Sequence, residues 1–375
     1  MKILDVYNKF KLTPAKSLGF HLWNAQGEEY LDLYGGHGVI SIGHSHPKWV
    51  EALQSQLTKV AYYSNAVEMP LQQEYAQKLA AVSGADDYQL FLCNSGAEAN
   101  ENALKVASVI TGRKKIIAFK GAFHGRTTGA LAATDNPKIQ SPLSGELAVE
   151  FLPLNDTDAL KNALDEKVAA VIIEPIQGVG GVAMPSDGFL QMLSAECKKT
   201  GTLLILDEIQ SGCGRSGKYF AHQWSGIKPD MITMAKGIGN GFPLAGVLIK
   251  NGIDIAKGML GTTYGGSYLA CAAGISVASV MKDEGLLNNA EKVGKYAKNK
   301  LEGLANIRKV LGRGLMIGMA FDFPVKALQN FLINEKKMVT GGSSNPNVLR
   351  IIPPLTITTK EIDALFEAIS EYLNK

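Results

Sequence analysis

Cysteine is scarce in this sequence, and its spacing excludes two classes of protein. Only four occur among 375 residues, Cys93, Cys197, Cys213 and Cys271, and none forms a CxxC pair. That argues against a disulfide scaffold or a thiolate zinc site and for a reducing compartment. Long apolar runs are also missing: no stretch reaches the roughly 18 residues that a membrane helix needs. The opening residues, MKILDVYNKFKLTPAK, carry charges throughout and lack the apolar stretch of a secretory signal. Charge of one sign is in short supply as well. The net charge is +3, and the longest basic runs are Arg113-Lys114-Lys115 and Lys336-Lys337, too little to draw in nucleic acid or an anionic membrane. No internal repeat or low-complexity tract is present. The expectation is a cytoplasmic enzyme with neither a nucleic-acid nor a membrane partner.

What is present is apolar residue in quantity, 46% of the chain, enough for a large core in about two domains. The runs KKIIAF (114–119), VAAVIIEP (168–175), TLLILDE (202–208) and PDMITMAK (229–236) are apolar on both faces, as central strands of a parallel sheet are. Helix-like stretches at 96–110 and 188–201 fall between them. This alternation predicts an α/β fold with a mostly parallel sheet. Short strand candidates near the start (GFHLWN, EEYLDLY), a long helix at 285–305 and a closing amphipathic helix (TKEIDALFEAISEYLNK) flank that core. We therefore expect a large domain over residues 50–270 and a smaller α+β domain from residues 1–49 and 271–375.

In open α/β sheets ligands gather beyond the carboxyl ends of the strands, and four candidate features fall there. Ser95, Gly96 and Ala97 close a strand and open a helix, so free N–H groups and the positive dipole end make a phosphate cradle; an ordinary strand-to-helix turn has the same sequence. The strand TLLIL ends on Asp207, a costly buried charge unless a cation such as a protonated pyridine nitrogen, or a salt bridge at the sheet edge, pairs with it. MITMA runs into Lys236, whose poorly hydrated amine would be a nucleophile suited to Schiff-base formation, unless it reaches out to water. In AFHGRTTGALAAT, Phe123 can stack on a flat ring and Arg126 can fork a carboxylate. An amine, an acid, an aromatic and an anion cradle in this order are what pyridoxal phosphate asks of a protein.

The blocks NSGAEANENALKVA, FHGRTTGALAAT, EPIQG, LDEIQSGCGRSGKYFAHQ, MAKGIGNGFPLAG and GTTYGGSYLACAA resemble the signature blocks of class III, fold type I aminotransferases. The resemblance runs from GEEYLDLYGGHGV to LRIIPPLTIT, nearly the whole chain. FHGRT and the RIIPPLTIT ending resemble the acetylornithine aminotransferases, with the succinylornithine and ornithine enzymes nearby. It implies that Lys236 forms the Schiff base and moves a proton, Asp207 stabilises the pyridinium, Gln210 meets the phenolic oxygen and Phe123 stacks on the ring. Ser95, Gly96 and Ala97 would hold the phosphate. Thr263 would reach the same phosphate from a partner subunit, with Thr262 at the substrate, so a homodimer is implied. Arg126 would clamp the distal carboxylate of the substrate, and Arg350 a carboxylate next to the reacting carbon. The implied reaction is ping-pong transfer from N2-acetylornithine to 2-oxoglutarate, a step of arginine biosynthesis. Other ω-amino donors (succinylornithine, ornithine, 4-aminobutyrate, an acyl-lysine) stay open. So, more remotely, do a class III aminomutase or decarboxylase.

Three positions depart from the family pattern. Val179 stands in EPIQGVGGV where the family carries a glutamate that pairs with the arginine here numbered 350, so another acid or a water network is expected to cover Arg350, or substrate choice differs. His37, in YGGHGV, replaces a tyrosine or an aliphatic residue and is either a turn residue or a contact to the acyl or carboxylate end of the donor. GGSYLACAA replaces GGNPLACAA next to Thr263. Two other patterns carry less weight. Residues 212–217 fit GxGxxG, but they follow the strand only after Asp207–Ser211, which speaks against a dinucleotide site. His44 and His46 have no third ligand nearby and read as structural.

Overall fold

A computed structural model describes the whole chain, residues 1–375, and arranges its strands in three sheets. Strands β1 (Pro14–Leu18), β2 (His21–Asn24) and β3 (Glu29–Asp32) form an antiparallel meander. Seven strands build the central sheet: β4 (Tyr88–Cys93), β5 (Lys115–Phe119), β6 (Val149–Leu152), β7 (Val168–Ile173), β8 (Leu203–Asp207), β9 (Met231–Met234) and β10 (Ala245–Lys250). Of the last four, β11 (Ile307–Arg313), β12 (Met316–Phe321) and β14 (Val348–Ile351) form a third sheet, while β13 (Met338–Val339) pairs parallel with β3. No helix is long and apolar enough to cross a membrane.

The central sheet runs β4-β10-β9-β8-β7-β5-β6. All six residues of β7 are buried, and burying each Val or Ile side chain is worth about 1.5–3 kcal/mol. The four strands read from the sequence are all here. The sequence reading did not foresee β10, which is antiparallel to both its neighbours because it follows β9 directly, without a crossover helix.

The helix Gly96–Thr111 buries Ala99, Ala103, Val106 and Ala107 on one stripe against this sheet, and its small residues let the backbone come close. Ser95 caps its start by accepting from Glu98 N, and Gly112 ends it in a left-handed conformation. Helix Asp187–Thr200 repeats this plan, with Ser186 at the start and Gly201 at the end. Because β4, β5, β7, β8 and β9 all run the same way, their carboxyl ends share one edge of the sheet. That edge collects Ser95, Phe123, Glu174, Asp207 and Lys236.

Candidate active site

The acid at the end of β8 is anchored before any ligand arrives. Asp207 is 3% exposed. Its Oδ2 accepts from His124 Nδ1 at 2.7 Å and from Asn100 Nδ2 at 2.8 Å, while Oδ1 accepts from Ile209 N at 3.0 Å. Asn100 is itself fixed, its Oδ1 accepting from Thr233 Oγ1 of β9. Burial alone would push His124 down, but the hydrogen bond and charge of Asp207, helped by Glu174, carry it above its ordinary value. Oδ1 keeps room for one more donor.

Lys236 follows β9 with a left-handed φ of 48°, which turns the chain sharply at the strand end. Burial lowers its amine below the ordinary lysine value; the charges of Asp207 and Glu174 oppose that, and Arg350 adds to it. The amine is thus poised towards the neutral, nucleophilic form.

At the start of helix 96–111 the N–H groups of Gly96 and Ala97 find no acceptor within the chain. A side chain at Gly96 would begin 2.8 Å from Ile209 Cδ1, so glycine is what lets this helix start against the loop that follows Asp207. Phe123 is held by its N–H, which donates to Glu174 Oε1 at 2.9 Å.

Arg350, on β14, is 4% exposed and no carboxylate pairs with it. Its Nη1 donates to Gly178 O and its Nε to Gly342 O, both at 2.5 Å, and it lies within 3.5 Å of Gln210 Oε1 and Tyr34 Oη. Of the alternatives expected for Arg350, a covering acid is absent as a hydrogen-bonding partner: neutral carbonyls seat the guanidinium instead. Burial lowers Arg350 from the ordinary arginine value, against the charges of Tyr34 and Glu174. Gln210 Nε2 donates to His37 O at 2.8 Å, and the His37 ring leans on Tyr34 with centroids 4.8 Å apart. Burial, then Arg350 and Lys236, hold His37 below its ordinary value.

Asp207, Lys236, Gln210, His37 and Arg350 are thus brought together. Arg126 is exposed and makes no hydrogen bond or ion pair. Thr262 Oγ1 accepts from Asn94 Nδ2 of its own chain, whereas Thr263 lies exposed beside Tyr62, whose hydroxyl donates to its carbonyl. His44 and His46 serve separate acids, Asp32 and Glu284.

Sequence reasoning missed His124, Asn100, Tyr34 and Glu174. Glu174 accepts from Phe123 N and Gly178 N. Burial, with Asp207 adding, pushes its carboxyl up against the pull of His124 and those two N–H groups. Its signal was present: VAAVIIEP ends an apolar strand on a carboxylate just as TLLILD does.

These residues fit pyridoxal phosphate: a depressed amine, an anchored acid with a free lone pair for a ring N–H, a ring-sized aromatic and unpaired N–H groups for a phosphate. The sequence profile of the class-III aminotransferases matches residues 5–373. An acetylornithine aminotransferase of Methanosarcina mazei is 38% identical over 98% of this chain and 93% of its own. A [LysW]-aminoadipate semialdehyde/glutamate semialdehyde transaminase of Sulfurisphaera tokodaii is also 38% identical, over 97% of this chain and 95% of its own. The crystal structure of an acetylornithine aminotransferase from Elizabethkingia anophelis superposes with a TM-score of 0.85 at 31% identity, covering 98% of this chain and 95% of that one. The chain belongs to the class-III aminotransferases and, like them, is a pyridoxal-phosphate enzyme of the fold type I architecture.

Proposed function

We propose that the protein transfers the terminal amine of N2-acetylornithine to 2-oxoglutarate in arginine biosynthesis, as a cytoplasmic homodimer. The observation that carries this reading is Arg350: a buried guanidinium without a carboxylate of its own, next to the reactive amine, is a ready receptor for the carboxylate of a 2-oxo acid. The names of the relatives supply the donor. Pyridoxal phosphate, when bound, supplies the electron sink that lets the C–H bond beside the transferred nitrogen ionise. The protein does the rest. Lys236 Nζ would take the proton from the donor carbon in the first half-reaction and give one to the carbon of the 2-oxo acid in the second. Asp207, gripped by His124 and Asn100, would accept from the ring N–H. Phe123 would cover one ring face, and Gln210 would meet the phenolic oxygen. The N–H groups of Gly96 and Ala97 with Ser95 would hold the phosphate. Arg350 aligns the near carboxylate and Arg126 the far one.

Exposed Tyr62 and Tyr264 beside Thr263, with exposed Leu57, Val60 and Tyr63 in the segment that carries Tyr62, support a homodimer in which Thr263 reaches the partner's phosphate and Thr262 its substrate. Four free, buried cysteines suit a reducing cytoplasm.

One observation favours N2-succinylornithine as donor. A cleft of about 1120 Å³ opens beside Tyr34, His37 and Gly342 and is lined by Lys9, Lys16 and Lys326. Its single carboxylate, Asp32, is already engaged by His44 and by the N–H groups of Tyr34 and Gly35. Lys9 is neutralised by Asp5, which leaves Lys16 and Lys326 to meet an anionic acyl end.

The test is the absorbance of the holoenzyme with each donor in parallel. Acetylornithine should bleach the yellow band, and a faster succinylornithine would move the assignment. Changing both Lys16→Gln and Lys326→Gln should then lower kcat/KM for succinylornithine about fivefold and leave acetylornithine within about twofold, at up to about 1 kcal/mol per exposed charge. A band that neither donor bleaches removes both.

Val179 offers a second check. A glutamate there would place a carboxylate one residue from Gly178 O, which now seats Arg350. Val179→Glu should raise KM for 2-oxoglutarate about tenfold, the scale of one charge-assisted hydrogen bond diverted from substrate. Unchanged rates in both half-reactions would show that position 179 does not govern Arg350.

A further inference from the structure

Arg215 takes no part in the chemistry above, yet its guanidinium lies where the segments carrying His37, Gln210 and Arg350 meet. It is 2% exposed. No acid pairs with it; it donates to Pro353 O, and to Gly38 O and Ile40 O at 3.4 Å each. Burial pulls it down to about 10, against the charges of Cys213 and Asp32. A buried cation served only by neutral carbonyls is a costly way to fill space, and a leucine or methionine would fill it at less cost. What the guanidinium adds is a planar fork that can gather several carbonyls at once.

Those carbonyls belong to a demanding piece of backbone. Gly35, Gly36, His37 and Gly38 all have φ between 55° and 74°, and holding His37 there costs on the order of 1 kcal/mol. A side chain at Gly38 would start 2.9 Å from Ile352 Cγ2. Ile352 N donates to Leu33 O at 2.8 Å and Leu355 N to Ser41 O at 2.7 Å, so the loop and the end of β14 are laced on both sides of Arg215. Gln210 Nε2, on the same loop as Arg215, holds His37 O.

We propose that Arg215 is a positioning residue for substrate: by gathering the carbonyls of Gly38, Ile40 and Pro353 it holds the His37 loop and the Arg350 strand in one register with Gln210. It acts on substrate binding and not on cofactor capture. The inference rests on Arg350 being the carboxylate clamp.

Arg215→Lys in the holoenzyme keeps the charge and loses the fork. Hydrogen exchange should rise together in residues 35–41 and 350–355 and stay unchanged in 203–207. KM for 2-oxoglutarate should rise about tenfold or more, the scale of one or two lost charge-assisted hydrogen bonds, with kcat little changed. The visible band of the bound cofactor and its pH titration should match the wild type. Gly38→Ala disturbs the same junction from the other side and should give the same pattern, so the test survives if Arg215→Lys does not fold. Faster exchange confined to 212–217 with KM unchanged would overturn the proposal, as would loss of cofactor at an unchanged KM. If the wild-type enzyme turns over neither 2-oxoglutarate nor L-glutamate, the reading of Arg350 fails, and the exchange data still decide whether Arg215 couples the two segments.

Discussion

Lys236→Ala should lower kcat by about four orders of magnitude, the upper end of what one positioned acid–base group contributes, because no other side chain here can do its work. Arg350 cannot take a proton at neutral pH. His124 is turned to Asp207, and Glu174 has both oxygens engaged by backbone N–H groups. The fold should survive. Lys236 sits at a φ of 48°, which alanine tolerates about as well as lysine, and burial already disfavours the lysine charge. The melting temperature should therefore move little while turnover collapses. Single-turnover bleaching with the donor is the measurement, and added methylamine should restore part of the rate. A variant within tenfold of wild type would show that the proton travels by another group.

The residues legible in the sequence are those whose oddity is local. A lysine or an aspartate that ends an apolar strand is conspicuous in a window of eight residues, so Lys236 and Asp207 could be picked out without a structure. His124 could not, since what makes it part of the site is a bond to an acid 83 positions away. Asn100 lay inside a stretch read as helix, which the structure gives as Gly96–Thr111, but a polar residue on the buried stripe acquires meaning only when β8 and β9 are placed beneath it. Arg350 was named through resemblance alone. Its seat on Gly178 O joins β14 to a loop 172 positions earlier, and no local window of sequence shows that carbonyls are its partners. Arg215 lay within a run that mimics a dinucleotide fingerprint; the structure turns that run into a tight loop whose purpose is tertiary. The buried central strands were legible for the reason Lys236 was; β6, short and only partly buried, and β10, whose direction depends on connection length and not on composition, were not read.

Asp207→Asn should lower kcat about a thousandfold and also change the pH dependence of stability. An amide keeps the shape of the carboxylate and loses its charge. If its oxygen still faces His124 and Asn100, its NH2 group faces Ile209 N–H, donor against donor, and offers the ring nitrogen a hydrogen where an acceptor is needed. The ring nitrogen then loses its proton and with it most of the electron sink. His124 also loses what holds it above its ordinary value near 6.5, leaving burial to push it down. The sign of the stability effect follows. A histidine whose folded value is raised contributes stability fully below its unfolded value and loses it as pH rises through the folded value. The wild type should therefore exceed the variant most in melting temperature near pH 6 and progressively less above pH 7. Breaking a buried charge pair costs about 3–5 kcal/mol, which is several degrees for a chain of this length. Thermal melts of both proteins from pH 6 to pH 9, read alongside turnover, separate the two roles. A gap that stays constant from pH 6 to pH 9 would mean that His124 is neutral beside Asp207 throughout, and that the acid is held by hydrogen bonds alone.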